Sequence, residues 1–248
     1  MGLLQGIYAV WLREVTVFFR EKERVISAIV TPLLWIFAFG GGLGATVEIS
    51  GVNYQTFIFP GVVSMAVLFG SIFYGLYIIW DRKLDFLKEV LVAPVPRSAV
   101  FLGKMLGGMS DVLLQVAALL IIGILLSMAT PQAALLAVLA SLLLSMCIVS
   151  LGLIIGSNMT SPDGFNLVMS FVMWPMFLFS GALFPISNLP AYLGFTVTIN
   201  PMTYGVDLMR FALLGTTAFG PLVDIGVLIA FSAVFIFIGS KSFEKMRI

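Results

Sequence analysis

The chain has 248 residues, 60% of them hydrophobic and 10% charged, and a formal net charge of +1. A water-soluble domain carries roughly 25% charged residues, so with a mean hydropathy of +1.13 the solvent of this chain is lipid. The same composition excludes a nucleic-acid footprint, since there is no basic arm, and it leaves little for catalysis, since there is no His and the single Cys147 permits neither a disulfide framework nor a redox pair.

The first 24 residues read as an amphipathic helix. Helical spacing puts Leu4, Ile7, Tyr8, Trp11, Leu12, Val15, Phe18 and Phe19 on one broad face, and Gln5, Arg13, Thr16 and Arg20 on the other. Such a helix lies in the membrane plane with its rings at headgroup depth. Glu14 is the exception, an acid out of place. Arg13 and Glu14 in mid-segment, with no small-residue cleavage site, argue against a signal peptide.

Charge-free windows follow at 25–47, 49–80, 112–162, 164–206 and 225–240. A spanning helix needs about 20 apolar residues for a ~30 Å hydrocarbon core. The window at 112–162 holds two, broken at 127–132 (SMATPQ), where Pro131 and Gln132 predict a tight turn. Six helices are therefore expected, near 25–45, 56–79, 102–126, 133–156, 164–184 and 221–240. No convincing repeat relates the first three to the last three, which weakens secondary-transporter folds built on inverted halves.

Between the second and third helices lies RKLDFLKEVLVAPVPRSAVFLGK, residues 82–104. Leu84, Leu87 and Leu91 form a stripe there, widened by Phe86 and Val90, while Arg82, Asp85 and Glu89 point away. Pro94 and Pro96 end the helix and force an extended exit. So short a helix is marginal in water alone. Its stripe needs a surface, either the bilayer or another protein.

Basic residues precede the first span (Arg13, Arg20, Lys22, Arg24), lie between the second and third (Arg82, Lys83, Lys88, Arg97, Lys104) and follow the sixth (Lys241, Lys245, Arg247). With six spans all of these share one face, and only Arg210 does not. The positive-inside rule makes that face, with both termini, cytoplasmic. Asn158-Met159-Thr160, a glycosylation match, then falls in a cytoplasmic connection and carries no meaning. Asp111, about 10 Å along the third helix from Lys104, reads as an interfacial capping or solvated acid. Gly103-Lys104 lacks the rest of a phosphate-binding loop.

The segment 185–215 is too polar and proline-rich to span cleanly. Asn200-Pro201 predicts an N-cap with proline at the first helical position, and Gly215 the stop. Tyr204, Leu208 and Phe211 line one face, and Asp207 can pair with Arg210. Such a segment is re-entrant or lies on the outer leaflet.

The amphipathic first helix, Phe59-Pro60-Gly61, the EVLVAPVP segment at 89–96, the turn from Gly181 to Pro185 and Asn200-Pro201 together resemble the permease subunit of type-2 ATP-binding-cassette exporters, in particular the drug-resistance and nodulation-factor branch. The resemblance covers essentially the whole chain. It implies an all-α membrane protein forming one permease domain over 1–248. Its parts would be six transmembrane helices, an interfacial helix (1–24), a cytoplasmic coupling helix (82–93) and external re-entrant helices (185–215).

It also implies a transport role rather than an enzymatic one, with no cofactor. The partners would be a separate ATPase subunit, a second copy of the chain and membrane lipid. Arg82, Leu84, Asp85, Phe86, Leu87, Glu89, Val90 and Leu91 would contact the ATPase, with residues 157–164 as a smaller contact. The first and fifth helices would flank the path, with Phe171, Trp174, Phe177 and Phe179, around a kink at Pro175, as its candidate lining. Phe184, Pro185, Asn200, Pro201 and Tyr204 are candidates for the external gate. Two rival readings are an ion-coupled secondary transporter working without an ATPase and a membrane scaffold with no transport of its own. The first would want buried acids or a broken-helix ion site, and the second would tolerate loss of the cytoplasmic stripe.

Overall fold

The computed structural model describes residues 2–43, 48–49, 51–84, 95–186 and 190–246. Helix α1 (Leu3–Arg20) is followed after one residue by α2 (Lys22–Leu43), then by a minimal antiparallel hairpin, β1 (Glu48–Ile49) and β2 (Val52–Asn53), with Glu48 opposite Asn53. Helices α3 (Tyr54–Ile72) and α4 (Tyr74–Lys83) meet at Phe73. They are followed by α5 (Arg97–Leu125), α6 (Pro131–Ser157), α7 (Pro162–Leu178), a short turn of 3-10 helix at Ala191–Leu193, α8 (Gly194–Ile199), α9 (Pro201–Leu214) and α10 (Pro221–Lys245). Among the described residues the fold is all-α apart from the hairpin.

One local device starts several of these helices. Thr130 accepts a hydrogen bond from Ala133 N, Ser161 from Gly164 N and Asn200 from Met202 N, each with proline at the next position. The side-chain oxygen satisfies an orphan N–H, and proline removes another where none is needed. The stop at Gly215 is equally local: its φ of 71° is left-handed, where glycine carries no Cβ penalty.

Among the described residues, five stretches are long and apolar enough to cross a membrane: Val25–Gly42 in α2, Tyr54–Lys83 through α3 and α4, Arg97–Leu125, Pro131–Ser157 and Pro221–Lys245. The expected span near 164–184 ends sooner. At 17 residues α7 covers only about 25 Å at ~1.5 Å per residue. It stops because both the backbone and the hydroxyl of Ser180 bond back to Phe177 O, and Gly181 turns left-handed at φ 80°.

Helix α6 is the axis of the bundle, packed by α3, α4, α5, α9 and α10. Its contact with α3 and α4 is backbone against backbone. A Cβ placed on Gly152 would stand 2.5 Å from Ile72 O, one on Gly156 would run into the backbone of Gly75, and one on Gly75 into that of Gly152. Small residues four apart let helices approach this closely in lipid.

Helix α9 narrows one expectation and corrects another. Nearly every residue from Pro201 to Leu213 is buried, so it does not rest on the outer leaflet by one face; it is enclosed by α3, α6 and α10. Nor do Asp207 and Arg210 pair. The loop after Gly215 folds back over Asp207, which accepts from Thr217 Oγ1, Ala218 N and Phe219 N, each at 2.9 Å. Arg210 donates to Gly181 O at 2.9 Å and lies 4.3 Å from the Phe57 ring. Backbone groups of neighbouring turns outcompete a bond within one helix.

Candidate functional site

The chemistry gathers where α1, α4 and α5 meet. Helix α1 seats on α5 along two glycines. A Cβ on Gly103 would lie 2.6 Å from Val10 Cβ and 2.9 Å from Ile7 O, and one on Gly107 would lie 2.5 Å from Glu14 Cβ. Trp11 Nε1 adds a hydrogen bond to Ser110 Oγ at 2.9 Å. With the backbones so close, the charged residue between the glycines, Lys104, is sealed in at 2% exposure.

Its ammonium donates to Glu14 Oε1 at 2.8 Å and to Asp81 Oδ2 at 2.5 Å. Arg13 closes the ring, reaching Glu14 Oε1 at 2.7 Å and Asp81 Oδ1 at 3.1 Å. The Tyr74 hydroxyl donates to Glu14 Oε2 at 2.7 Å. Two cations and two carboxylates thus neutralise one another under cover. Burial by itself would push the Glu14 carboxyl up, but Lys104, Arg13 and the Tyr74 hydroxyl hold it down at about 2. A depressed carboxyl contributes stability that is complete above its ordinary value near 4.5 and is lost as pH falls toward about 2. Glu14 therefore stays ionised throughout the physiological range.

Both ends of the next segment are fastened as well. At the end of α4, Arg82 donates to Ser157 O at 2.9 Å and Met159 O at 3.1 Å. A cation there satisfies the open carbonyls of the α6 terminus. At the start of α5, Arg97 donates to Glu244 O at 2.8 Å and Met246 O at 2.7 Å, at the end of α10. Leu84, 73% exposed, stands just past α4. The candidate contact residues Asp85, Phe86, Leu87, Glu89, Val90 and Leu91 lie outside the described residues, as does Pro94.

Beyond the charged cluster, a cavity of about 540 Å³ opens between α2, α3, α5 and α7. Trp35, Phe69 and Trp174 form much of its wall, with Phe69 edge-on to Trp174 at 5.7 Å. Asp111 and Gln115 lie on the α5 side. Asp111 is 4% exposed, so it is not the solvated interfacial acid that its place along the helix suggested.

The decisive comparison is with protein families: residues 5–214 match the model of the ABC-2 type transporter. The chain belongs to the ABC-2 type transporter family. It is a transport permease and an integral membrane protein, not an enzyme. The inner membrane transport permease YadH of Escherichia coli (strain K12) is 27% identical over 256 aligned residues, covering 98% of this chain and 96% of YadH. Nodulation protein J of Rhizobium leguminosarum bv. viciae is 24% identical over 230 residues, covering 91% and 89%. That of Rhizobium meliloti (strain 1021) is 25% identical over 223 residues, covering 88% and 84%.

In this ABC-2 permease the aromatic residues of α7 separate. Trp174 lines the cavity, while Phe177 is buried behind it, edge-on to Trp35 at 6.0 Å. Phe171 is 76% exposed and points elsewhere, and Phe179 is half-buried in the turn after α7. At the opposite end Phe184 and Pro185 are half-buried, and Asn200, Pro201 and Tyr204 are buried. Asn200 does two jobs. Its oxygen caps α9, and its Nδ2 donates to Met176 O at 2.7 Å, closing the end of α7. The Tyr204 hydroxyl donates to Thr198 O at 2.8 Å.

Sequence reasoning missed Glu14, Asp81 and Lys104 as a unit. Glu14 off the polar face was one signal, and Gly103 and Gly107 flanking Lys104 a second. A charge set between glycines four apart on an apolar helix marks a buried close approach.

Proposed function

We propose that the chain is the membrane-spanning subunit of an ATP-driven exporter in the cytoplasmic membrane, with both termini cytoplasmic. It pairs with a second copy of itself and with separate ATPase subunits, and it moves an amphipathic drug, lipid or lipid-linked saccharide outward through six transmembrane helices. Residues Leu84 to Leu91 are the coupling helix, seated in a groove of the ATPase, with 157–164 as the smaller contact. The region 185–215 is the external gate. Membership of the ABC-2 family and the similarity to YadH, an inner membrane transport permease, support the class of function.

The observation that carries the mechanism is how the flanks of 85–94 are anchored. Asp81 locks α4 to α5 and, through Arg13, to α1, Arg82 locks it to α6, and Arg97 locks α5 to α10. A segment held so firmly at both ends passes any force on it to the whole basic end of the bundle. ATP closes the two ATPases and carries their grooves inward. The coupling helix follows as a lever, and the elbow at Pro94 and Pro96 turns the motion into α5. The two states differ in their contacts at the groove, as any ligand-driven shift requires.

Substituting Phe86→Asp together with Leu87→Asp tests this. The double substitution removes about 3–6 kcal/mol of apolar burial, more than roughly a hundredfold in docking affinity. Membrane insertion and melting of the permease are expected to stay at wild-type values, while ATP-driven transport in reconstituted vesicles is lost. Wild-type transport by the double variant would reject the lever.

A further inference from the structure

We propose that Pro32 is a hinge in α2 and that Gln115 is its latch. The half of α2 before Pro32 swings away from α5 to open the cavity, and the bond from Gln115 to Ala28 O holds it shut. The device rests on the permease reading above, in which cargo has to reach the inside of the bundle.

One donor is missing from α2. The helix runs on through Pro32, yet proline has no N–H to give the carbonyl four residues back. That carbonyl is Ala28 O. In lipid a freed backbone carbonyl is satisfied by a neighbouring helix, and here Gln115 Nε2 of α5 donates to it at 2.5 Å. Gln115 is 9% exposed. It fits because α3 carries a glycine opposite: a Cβ on Gly70 would stand 2.9 Å from Gln115 Oε1. Three helices thus meet at the gap that proline leaves.

The two halves of α2 are held unequally. Beyond Pro32, Ile36 is buried, Trp35 meets Phe177 of α7 edge-on at 6.0 Å, and a Cβ on Gly40 would stand 2.5 Å from Gln55 Cγ of α3. Before it, Ser27, Ala28 and Thr31 line the cavity, so this half faces open space instead of packed core. Over Val25–Gly42 only 17% of the residues are buried, against 72% over Tyr54–Lys83. A wall so lightly packed moves when its tie is cut. The Ala28 carbonyl also has a second donor to turn to. A threonine hydroxyl can bond the carbonyl three residues back, and Thr31 stands three residues after Ala28. The latch can be handed over without leaving a buried acceptor unpaired.

Thiol labelling inside the cavity reads the hinge. Ala66 lines the cavity from α3 and is 2% exposed. Ala66→Cys is combined with Cys147→Ala in the full chain, in phosphatidylcholine nanodiscs, and its rate of reaction with N-ethylmaleimide is measured. Gln115→Leu should raise that rate roughly two- to tenfold, the worth of one ordinary hydrogen bond. Pro32→Ala returns an N–H to Ala28 O within α2, so it should slow the reaction. In the Pro32→Ala background Gln115→Leu should lose its effect, which a general loosening of packing would not do. An unchanged rate in Gln115→Leu, or an equal rise in both backgrounds, would overturn the latch. If Gln115→Leu does not fold, Pro32→Ala decides alone, since labelling as fast as in the starting chain or faster overturns the hinge. A chain that couples to its ATPase but lacks this dependence on Pro32 defeats the hinge alone. A chain that shows the dependence yet never engages an ATPase defeats the exporter reading and leaves the hinge standing.

Discussion

Replacing Lys104 with Met is expected to destabilise the permease more than any other single charge removal in the chain. The side chain is nearly isosteric, so packing along Gly103 and Gly107 is retained and the loss is electrostatic. Without the ammonium, Glu14 and Asp81 share only Arg13, whose side chain is 33% exposed, while their own are 5% and 9% exposed. Breaking a buried ion pair from one side costs about 3–5 kcal/mol, because the abandoned charge stays desolvated. Thermal melting of the chain in detergent, or its level in the membrane, reads this directly.

Charge balance supplies the control. Lys104→Met combined with Glu14→Gln leaves Arg13 facing Asp81 alone, so the double variant should be more stable than the sum of the two single losses. The same melts against pH should be flat from neutrality to about 5 and fall between 4.5 and about 2 as Glu14 takes up its proton. A Lys104→Met chain melting at the wild-type temperature would mean that the cluster carries no stability.

Gly156→Ala should be the second severe change, and it adds only a methyl. In an exposed helix this substitution gains roughly 1 kcal/mol from propensity. Here the new Cβ would run into the backbone of Gly75, which is not the movable end of a flexible side chain. Overpacking of a tight core costs about 1–3 kcal/mol, occasionally more, and a rigid obstacle puts this site at the upper end. The net result is a loss despite the better helix former. Gly75→Ala should behave alike, since its Cβ meets Gly152 O, and the two should not add because one contact is lost in both. Leu139→Ala, on an exposed face of the same helix, should leave the melt nearly unchanged. A Gly156→Ala chain as stable as wild type would show that α4 and α6 can separate at little cost.

What could be read from the residues alone was whatever a few neighbouring positions decide. The start at Pro201 and the stop at Gly215 depend on one cap and one special backbone angle each, whereas Pro131 and Gln132, read as a tight turn, are the first two residues of α6 behind the Thr130 cap. The amphipathic α1 follows from spacing, and the apolar windows place the long helices to within a few residues. What stayed hidden depends on distant partners. Glu14 and Lys104 are 90 residues apart and Arg13 and Asp81 are 68 apart, and nothing local announces either pairing.

The surroundings of helix α9 were hidden for the same reason. Its sequence supports an apolar face, but only the surrounding α3, α6 and α10 bury the rest, and only the loop after Gly215 takes Asp207 away from Arg210. Asp111 looked solvated because depth along a helix says nothing about which neighbours cover it. Trp174 and Phe171 look equivalent in sequence, yet one lines the cavity and the other faces outward. Their difference is set by the rotation of α7 against α2 and α3.

The most direct test of a permease gripped by a separate engine is where the side chain at position 87 goes. Leu87→Cys introduces a thiol at position 87, while the native Cys147 is fully buried, so a photoactivatable maleimide added to membranes containing the chain and its ATPase labels position 87 of this chain in preference to Cys147. Irradiation is expected to yield an adduct with the ATPase subunit, both with and without ATP. Adducts with lipid alone under both conditions would contradict it.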